Sequence, residues 1–287
     1  MPPNPAEFHR ALDLDHALRL LQRSAPATRA LLPGPRAPDE PFADVDAVVD
    51  LGQLGLDRIE PGDNGALSLG ALVTLQALAT HPAARALAGG LLAEAAALAG
   101  GNAQRQAATV GGAVRQHLGA MAGLTRDGPP EVALALLALD ARLVVRGPSG
   151  ETAMPLSDYL DTGGMLARDA LLVAVRIPAQ PDGARGALAR VARTPKDQAI
   201  VAAAAVAAPG LVRLAVAGAT PRPLRLASLE ASLTLPLTTA ALDALPAQVE
   251  ALMDPRSDFR ATAGYRRSMA GVLARRALAM LTEPRLG

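Results

Sequence analysis

The sequence predicts a mixed α+β protein in two unequal parts. Three observations predict it. Short apolar strands alternate with helical periodicities through the first 180 residues. Two long strand-like runs, Ala199 to Ala208 and Leu211 to Ala217, meet at Pro209-Gly210 as a hairpin, and a closing helix runs from Tyr265 to Leu281. Between these regions lies Pro181-Asp182-Gly183, a turn signal that marks the domain boundary. The expected parts are residues 1–180 and 181–287.

The elements follow in order. Phe8 to Arg10 is a short strand. Leu14, Ala17, Leu18 and Leu21 then recur at helical spacing, with Asp13 or Asp15 at the N-cap. Arg29 to Leu32 and Ala47 to Leu51 are further strands, so the N-terminus reads as a small βαβ unit. The loop Pro33-Gly34-Pro35-Arg36-Ala37-Pro38 is too proline-rich for helix or central strand. Asp57 to Glu60 and Ala66 to Gly70 flank a Pro-Gly-Asp-Asn-Gly turn. Thr74 caps a helix ending near Thr80, and Pro82 opens the next. Leu91 to Ala99 is helical and ends at Gly100-Gly101. Glu131 to Leu139 is an apolar helix, and Ala141 to Arg146, Thr152 to Leu156, Leu171 to Ile177 and Gly186 to Arg193 are strands. Thr239 to Leu252 is a helix that Pro246 is expected to break or kink. The closing helix places Met269, Val272, Leu273, Ala277 and Met280 on one face.

Composition excludes several chemistries. Net charge is +1, which gives no electrostatic case for nucleic acid or an anionic membrane. The absence of cysteine removes disulfides, thiolate catalysis and Cys-ligated iron–sulfur clusters from this chain. The four histidines, His9, His16, His81 and His117, are scattered, so no metal site is expected. No Ser/His/Asp set suggests hydrolysis, and no residue is assigned a catalytic role. The first residues have neither a basic nor an apolar leader region, and no apolar run is long enough to span a bilayer, so a cytoplasmic location is expected.

The stretch Gln104 to Ala113, Gln-Arg-Gln-Ala-Ala-Thr-Val-Gly-Gly-Ala, carries the functional argument. Gly111 and Gly112 can turn sharply, and successive N–H groups in such a turn form a concave anion site. An ordinary Gly-Gly turn is the plainer alternative. Arg105 could meet a phosphate, or simply be a solvated arginine. Arg266-Arg267 and Arg275-Arg276 read as a solvated face or a subunit contact, Tyr159 and Tyr265 as core or interface residues, and Lys196 as a surface residue.

Taken together, the motifs resemble the FAD-binding medium subunit of molybdenum hydroxylases, the carbon monoxide dehydrogenase and xanthine dehydrogenase flavoprotein family. The resemblance rests on Leu14 to Leu18, Val48 to Leu51, Leu69 to Thr74, Thr109 to Gly112, Ala135 to Ala141, Leu172 to Pro178, Gly218 to Pro223, Ser257 to Arg260 and Tyr265 to Arg267, in this order along nearly the whole chain. It implies a PCMH-type, vanillyl-alcohol-oxidase-like FAD domain followed by a smaller sheet-plus-helix domain. It implies FAD held by a first loop, Leu32, Pro33, Gly34, Pro35 and Arg36, and by a second loop, Thr109, Val110, Gly111, Gly112 and Ala113. Asp127, Leu172 and Arg190 align with further flavin-side positions, Arg190 with a lysine of the family. It also implies a role: electrons pass from iron–sulfur clusters in a partner subunit, through FAD, to NAD, a quinone or oxygen. The implied partners are the iron–sulfur subunit and a large molybdopterin subunit, in a hetero-oligomer duplicated by a two-fold axis. The closing helix is a weaker candidate for a second subunit contact.

The first loop departs from the family pattern. Proline offers no N–H, so Pro33 and Pro35 withdraw two donors from a pyrophosphate cradle. Ala113 stands where the family has asparagine. A hydrogen bond to a charged partner contributes about 1.5–3 kcal/mol. The alternative reading is therefore a flavin-free structural subunit of such a complex.

Overall fold

The structure is a computed structural model that describes residues 5–31, 45–115, 130–163, 166–167, 169–195 and 197–282. Among the described residues it holds three sheets. The first is the small βαβ unit: β1 (Glu7–Arg10), α1 (Leu14–Leu21), β2 (Thr28–Leu31) and β3 (Ala47–Asp50). Its strands are all parallel, in the order β1-β3-β2, with β3 in register with both neighbours. Asp13 caps α1 by accepting the His16 N–H, and Leu18, Leu20 and Leu21 pack beneath it with Val49 and Leu51.

The second sheet is built from β4 (Ile59–Pro61) and β5 (Leu67–Gly70). After four helices, α2 (Leu75–Thr80), α3 (Pro82–Ala86), α4 (Leu91–Ala97) and α5 (Asn102–Ala107), the chain enters α6 (Val110–Arg115) and α7 (Pro130–Ala138). It returns to the sheet with β6 (Arg142–Gly147), β7 (Gly150–Pro155), a short α8 (Leu156–Asp161) and β8 (Leu171–Ile177). The order is β4-β5-β8-β6-β7, antiparallel throughout. The expected caps are present: Thr74 Oγ1 accepts from the Ala77 N–H at 3.1 Å, and Pro82 occupies the first turn of α3.

The third sheet is a meander of β9 (Arg185–Val191), β10 (Val201–Ala208), β11 (Leu211–Ala217) and a two-residue β12 (Leu224–Arg225). The hairpin predicted around Pro209-Gly210 is in place, with Ala208 opposite Leu211. After a turn of helix, α9 (Ala227–Glu230), come α10 (Thr239–Glu250) and α11 (Ala263–Thr282). Every residue of β10 is buried. Ala202, Ala204 and Val206 join the core of the first part, and Val201, Ala203, Ala205 and Ala207 join the core beneath α11.

Two expectations about helices are corrected in part. Pro246 does not break α10, which runs through it. The proline forfeits one N–H, and its backbone instead packs on Gly271 of α11, where a Cβ would come within 2.7 Å of the Pro246 carbonyl. The inward face of α11 is only partly the one that spacing suggested: Leu273 and Ala277 are buried on it and Met269 packs against it. Ala270, Leu273, Ala274, Ala277, Leu278 and Leu281 are buried, whereas Val272 and Met280 face outward. The sheet beneath is alanine-rich, so small residues fill the contact and larger ones are left outside.

Candidate functional site

The site is organised by a bulge. Val144 pairs with Ala174 and Val145 with Leu172, which leaves Val173 of β8 unpaired in the ladder. The freed Val173 carbonyl accepts the Ala71 N–H at 2.9 Å. This fixes the turn that follows β5, and that turn receives the second loop. The Ala71 carbonyl accepts the Gly111 N–H at 2.8 Å, and the Val73 carbonyl accepts the Val110 N–H at 2.9 Å. Thr109 and Thr74 form a bridge between the two segments.

The sharp Gly-Gly turn expected from sequence is not what forms. Gly111 and Gly112 lie in α6, outside the glycines with positive φ. Their value is close approach: a Cβ on Gly111 would sit 2.8 Å from the Ala71 oxygen and 3.2 Å from its Cβ. The opening N–H groups of α6 are also engaged, because the Gly112 N–H donates to Thr109 Oγ1 at 3.1 Å. Val110, Gly111 and Gly112 thus have no uncommitted N–H for an anion. Ala113 is buried in the core, and its N–H donates to the Thr109 carbonyl. The seam of small residues at Ala71, Gly111 and Gly112 is a close backbone contact within the chain itself. The N–H groups of Val110, Gly111 and Gly112, each already donating within the chain, supply no phosphate donors.

The other candidates are placed as follows. Leu32, Pro33, Gly34, Pro35, Arg36, Asp127 and Lys196 lie outside the described residues. Leu172 is buried in β8 beside the bulge. Arg105 is held internally, by Gln76 Oε1 at 2.8 Å and the Gly100 carbonyl at 2.6 Å. Tyr159 is 1% exposed and belongs to the core. Arg266 is not on a solvated face: it is buried, pairs with Asp258 at 2.7 Å, and donates to the carbonyls of Ile200 and Gly218.

Arg190 is engaged within the protein. Its Nε lies 3.1 Å from Oε1 of Glu131, close enough for an ion pair but not aligned as a hydrogen bond. It also donates to the carbonyls of Pro195 and Asp197. Glu131 opens α7 and is fully buried. Burial pushes its carboxyl above the ordinary value, while its backbone amide and Arg190 pull the other way. The far end of α7 is fastened similarly. Asp140, at φ 61, pairs with Arg225 at 2.5 Å and Arg213 at 3.7 Å, and Arg225 also pairs with Glu230. Sequence reasoning assigned no role to Glu131 or Asp140. The available signal was an acid at each end of an otherwise apolar helical run.

Substituting Gly111 with alanine should push α6 off Ala71 and cost about 1–3 kcal/mol, read by urea unfolding. Gly112→Ala should cost less, since its Cβ would meet only Thr109 Oγ1, at 3.2 Å. Equal losses would refute the close-approach account.

The comparisons with known proteins agree with this architecture. Residues 4–180 match the family described as the FAD binding domain in molybdopterin dehydrogenase, and residues 187–281 match the CO dehydrogenase flavoprotein C-terminal domain. The chain is 33% identical over 175 residues to the carbon monoxide dehydrogenase medium chain of Afipia carboxidovorans. That alignment spans 55% of this chain and 58% of the relative's length. Among solved structures, a chain of reconstituted CO dehydrogenase from Oligotropha carboxidovorans superposes with a TM-score of 0.84 at 27% identity, covering 98% of this chain and 99% of that one. A chain of carbon monoxide dehydrogenase from Hydrogenophaga pseudoflava gives 0.82 at 26% identity, covering 97% and 98%. Quinoline 2-oxidoreductase from Pseudomonas putida 86 shares the fold, with a TM-score of 0.82 at 20% identity over 98% of each chain. With well over half of its length matched to the first domain, and the second domain following in order, the chain belongs to the FAD-binding flavoprotein family of molybdopterin dehydrogenases, of the carbon monoxide dehydrogenase type.

Proposed function

We propose that this chain is the FAD-carrying electron-transfer subunit of a molybdopterin-dependent hydroxylase or dehydrogenase. The observation that carries the reading is the superposition on CO dehydrogenase chains over 97–98% of its length. In this reading Leu32, Pro33, Gly34, Pro35 and Arg36 form the first flavin loop, following directly on β2, which ends at Leu31. Ligands of parallel α/β units bind beyond the carboxyl ends of the strands, which agrees with that position. Thr109 to Ala113 supply the second loop, and Asp127, Leu172 and Arg190 complete the candidate set.

FAD, when bound, supplies the redox chemistry, and the protein supplies binding, orientation and tuning. The Val173 bulge and the Ala71–Gly111 contact hold the second loop rigidly against the sheet. Electrons arrive from iron–sulfur clusters of a partner subunit, because this chain has no cysteine to ligate one. They leave to an external acceptor. The partners are that iron–sulfur subunit and a large molybdopterin subunit, arranged about a two-fold axis. Among the described residues no helix is long and apolar enough to cross a membrane.

A second reading, a flavin-free structural subunit, is favoured by the engaged N–H groups of Val110, Gly111 and Gly112 and by the Arg190–Glu131 pair. One titration separates the two. If FAD binds the native state alone, free FAD at a hundredfold over Kd stabilises it by about 2.7 kcal/mol, a rise in Tm of about 5 °C or more. No shift, together with an active assembled complex that lacks flavin absorbance, would establish the structural reading instead.

A further inference from the structure

The turn Pro181-Asp182-Gly183, which divides the two parts in the sequence, is exposed. Parts joined by such a turn ordinarily move against one another, unless the interface between them is large and apolar. Here the core crosses the division. Residues 131–138 of α7 are all buried, as in a helix covered on every side. They share one cluster with Leu188, Ala202, Ala204, Val206, Ala215 and Ala217 of the third sheet. Gly186 of β9 also lies so close to α4 that a Cβ there would sit 2.6 Å from the Leu91 Cβ.

Polar contacts cross the division as well, and four arginines of the second part make them. Arg190 pairs with Glu131 at the start of α7. Arg225 and Arg213 pair with Asp140 just past its end. Arg222 donates to the Leu160 carbonyl in α8 at 2.8 Å. Gln180, the last residue before the turn, is tied on both sides. Its Nε2 donates to the Leu139 carbonyl at 3.1 Å, and its Oε1 accepts from Arg213 at 2.9 Å. Parting the two halves would expose the apolar helix and strand the Glu131 carboxylate.

We propose that α7 is a strap that makes the two parts one cooperative unit, so that they neither hinge apart nor unfold separately. A ligand held by the native state of one part then stabilises the other equally.

The chain supplies its own probes. It has two tyrosines and no tryptophan. Tyr159 lies in the core of the first part, and Tyr265 lies on α11 in the second. Tyr265→Phe leaves Tyr159 as the fluorophore, and Tyr159→Phe leaves Tyr265. Both changes are mild, because the Tyr159 hydroxyl makes no hydrogen bond among the described residues and Tyr265 is 44% exposed. Urea unfolding of the full chain should give coincident midpoints at the two probes. Gly111→Ala, which acts locally within the first part, should lower the folding equilibrium constant about 5-fold or more, equally at both probes. Asp140→Asn removes a charge from the strap while keeping a residue type that tolerates φ 61. It should weaken both probes alike, with a loss that shrinks as salt rises. Two separated midpoints in the parent chain would overturn the proposal. So would a shift confined to Tyr159 in Gly111→Ala or, should that variant not fold, in Asp140→Asn.

Discussion

Replacing Arg190 with methionine should destabilise the protein by about 3–5 kcal/mol, because it strands the buried Glu131 carboxylate without its cation. The loss should depend on pH, and its sign follows from the direction of the Glu131 shift. The folded-state value already lies above the ordinary 4.5, and removing Arg190 raises it further. A group that binds its proton more tightly when folded contributes most below its unfolded value. That contribution fades as pH rises from about 4.5 through the higher folded value. The variant should therefore be closest to wild type near pH 4.5 and furthest from it at pH 8. Urea unfolding at several pH values measures this, and a pH-independent deficit would contradict the pairing. Glu131→Gln should be milder, because Arg190 keeps the carbonyls of Pro195 and Asp197.

Gly218→Ala should be similarly damaging, at about 3–5 kcal/mol, for a steric reason. Gly218 has φ 84, and a Cβ there would lie 2.1 Å from the Ile200 oxygen and 3.0 Å from its carbon. Neither can retreat, since Arg266 grips the carbonyls of both Ile200 and Gly218. Thermal unfolding checks the prediction, and a loss under 1 kcal/mol would show that the turn rearranges freely.

The legible parts of this fold were those with local chemistry. Pro209-Gly210 announced the hairpin, Thr74 its helix, and the alternation of short strands and helices the two-part organisation. What escaped the sequence depends on partners distant along the chain. Pro246 continues α10 only because Gly271, 25 residues on, leaves room for it. The inward face of α11 was legible only in part, at Met269, Leu273 and Ala277, because alanine on β10 decides which of the remaining side chains fit. At the candidate site the motif Thr109 to Gly112 was visible, but its conformation was not. Gly111 is shaped by Ala71, and Ala71 by the bulge at Val173, 102 residues further along the chain. Glu131 and Arg190 are 59 residues apart, and only the fold joins them.

β10 has a consequence for how the chain comes together. Its sequence, Val-Ala-Ala-Ala-Ala-Val-Ala-Ala, is dominated by the residue with the highest helix propensity and a poor record in strands. Taken alone, the segment prefers the wrong conformation. It becomes a strand because β9 and β11 pair with it on either side, and because α7 and α11 require a thin layer between them. This inner strand of the third sheet is thus imposed by its neighbours.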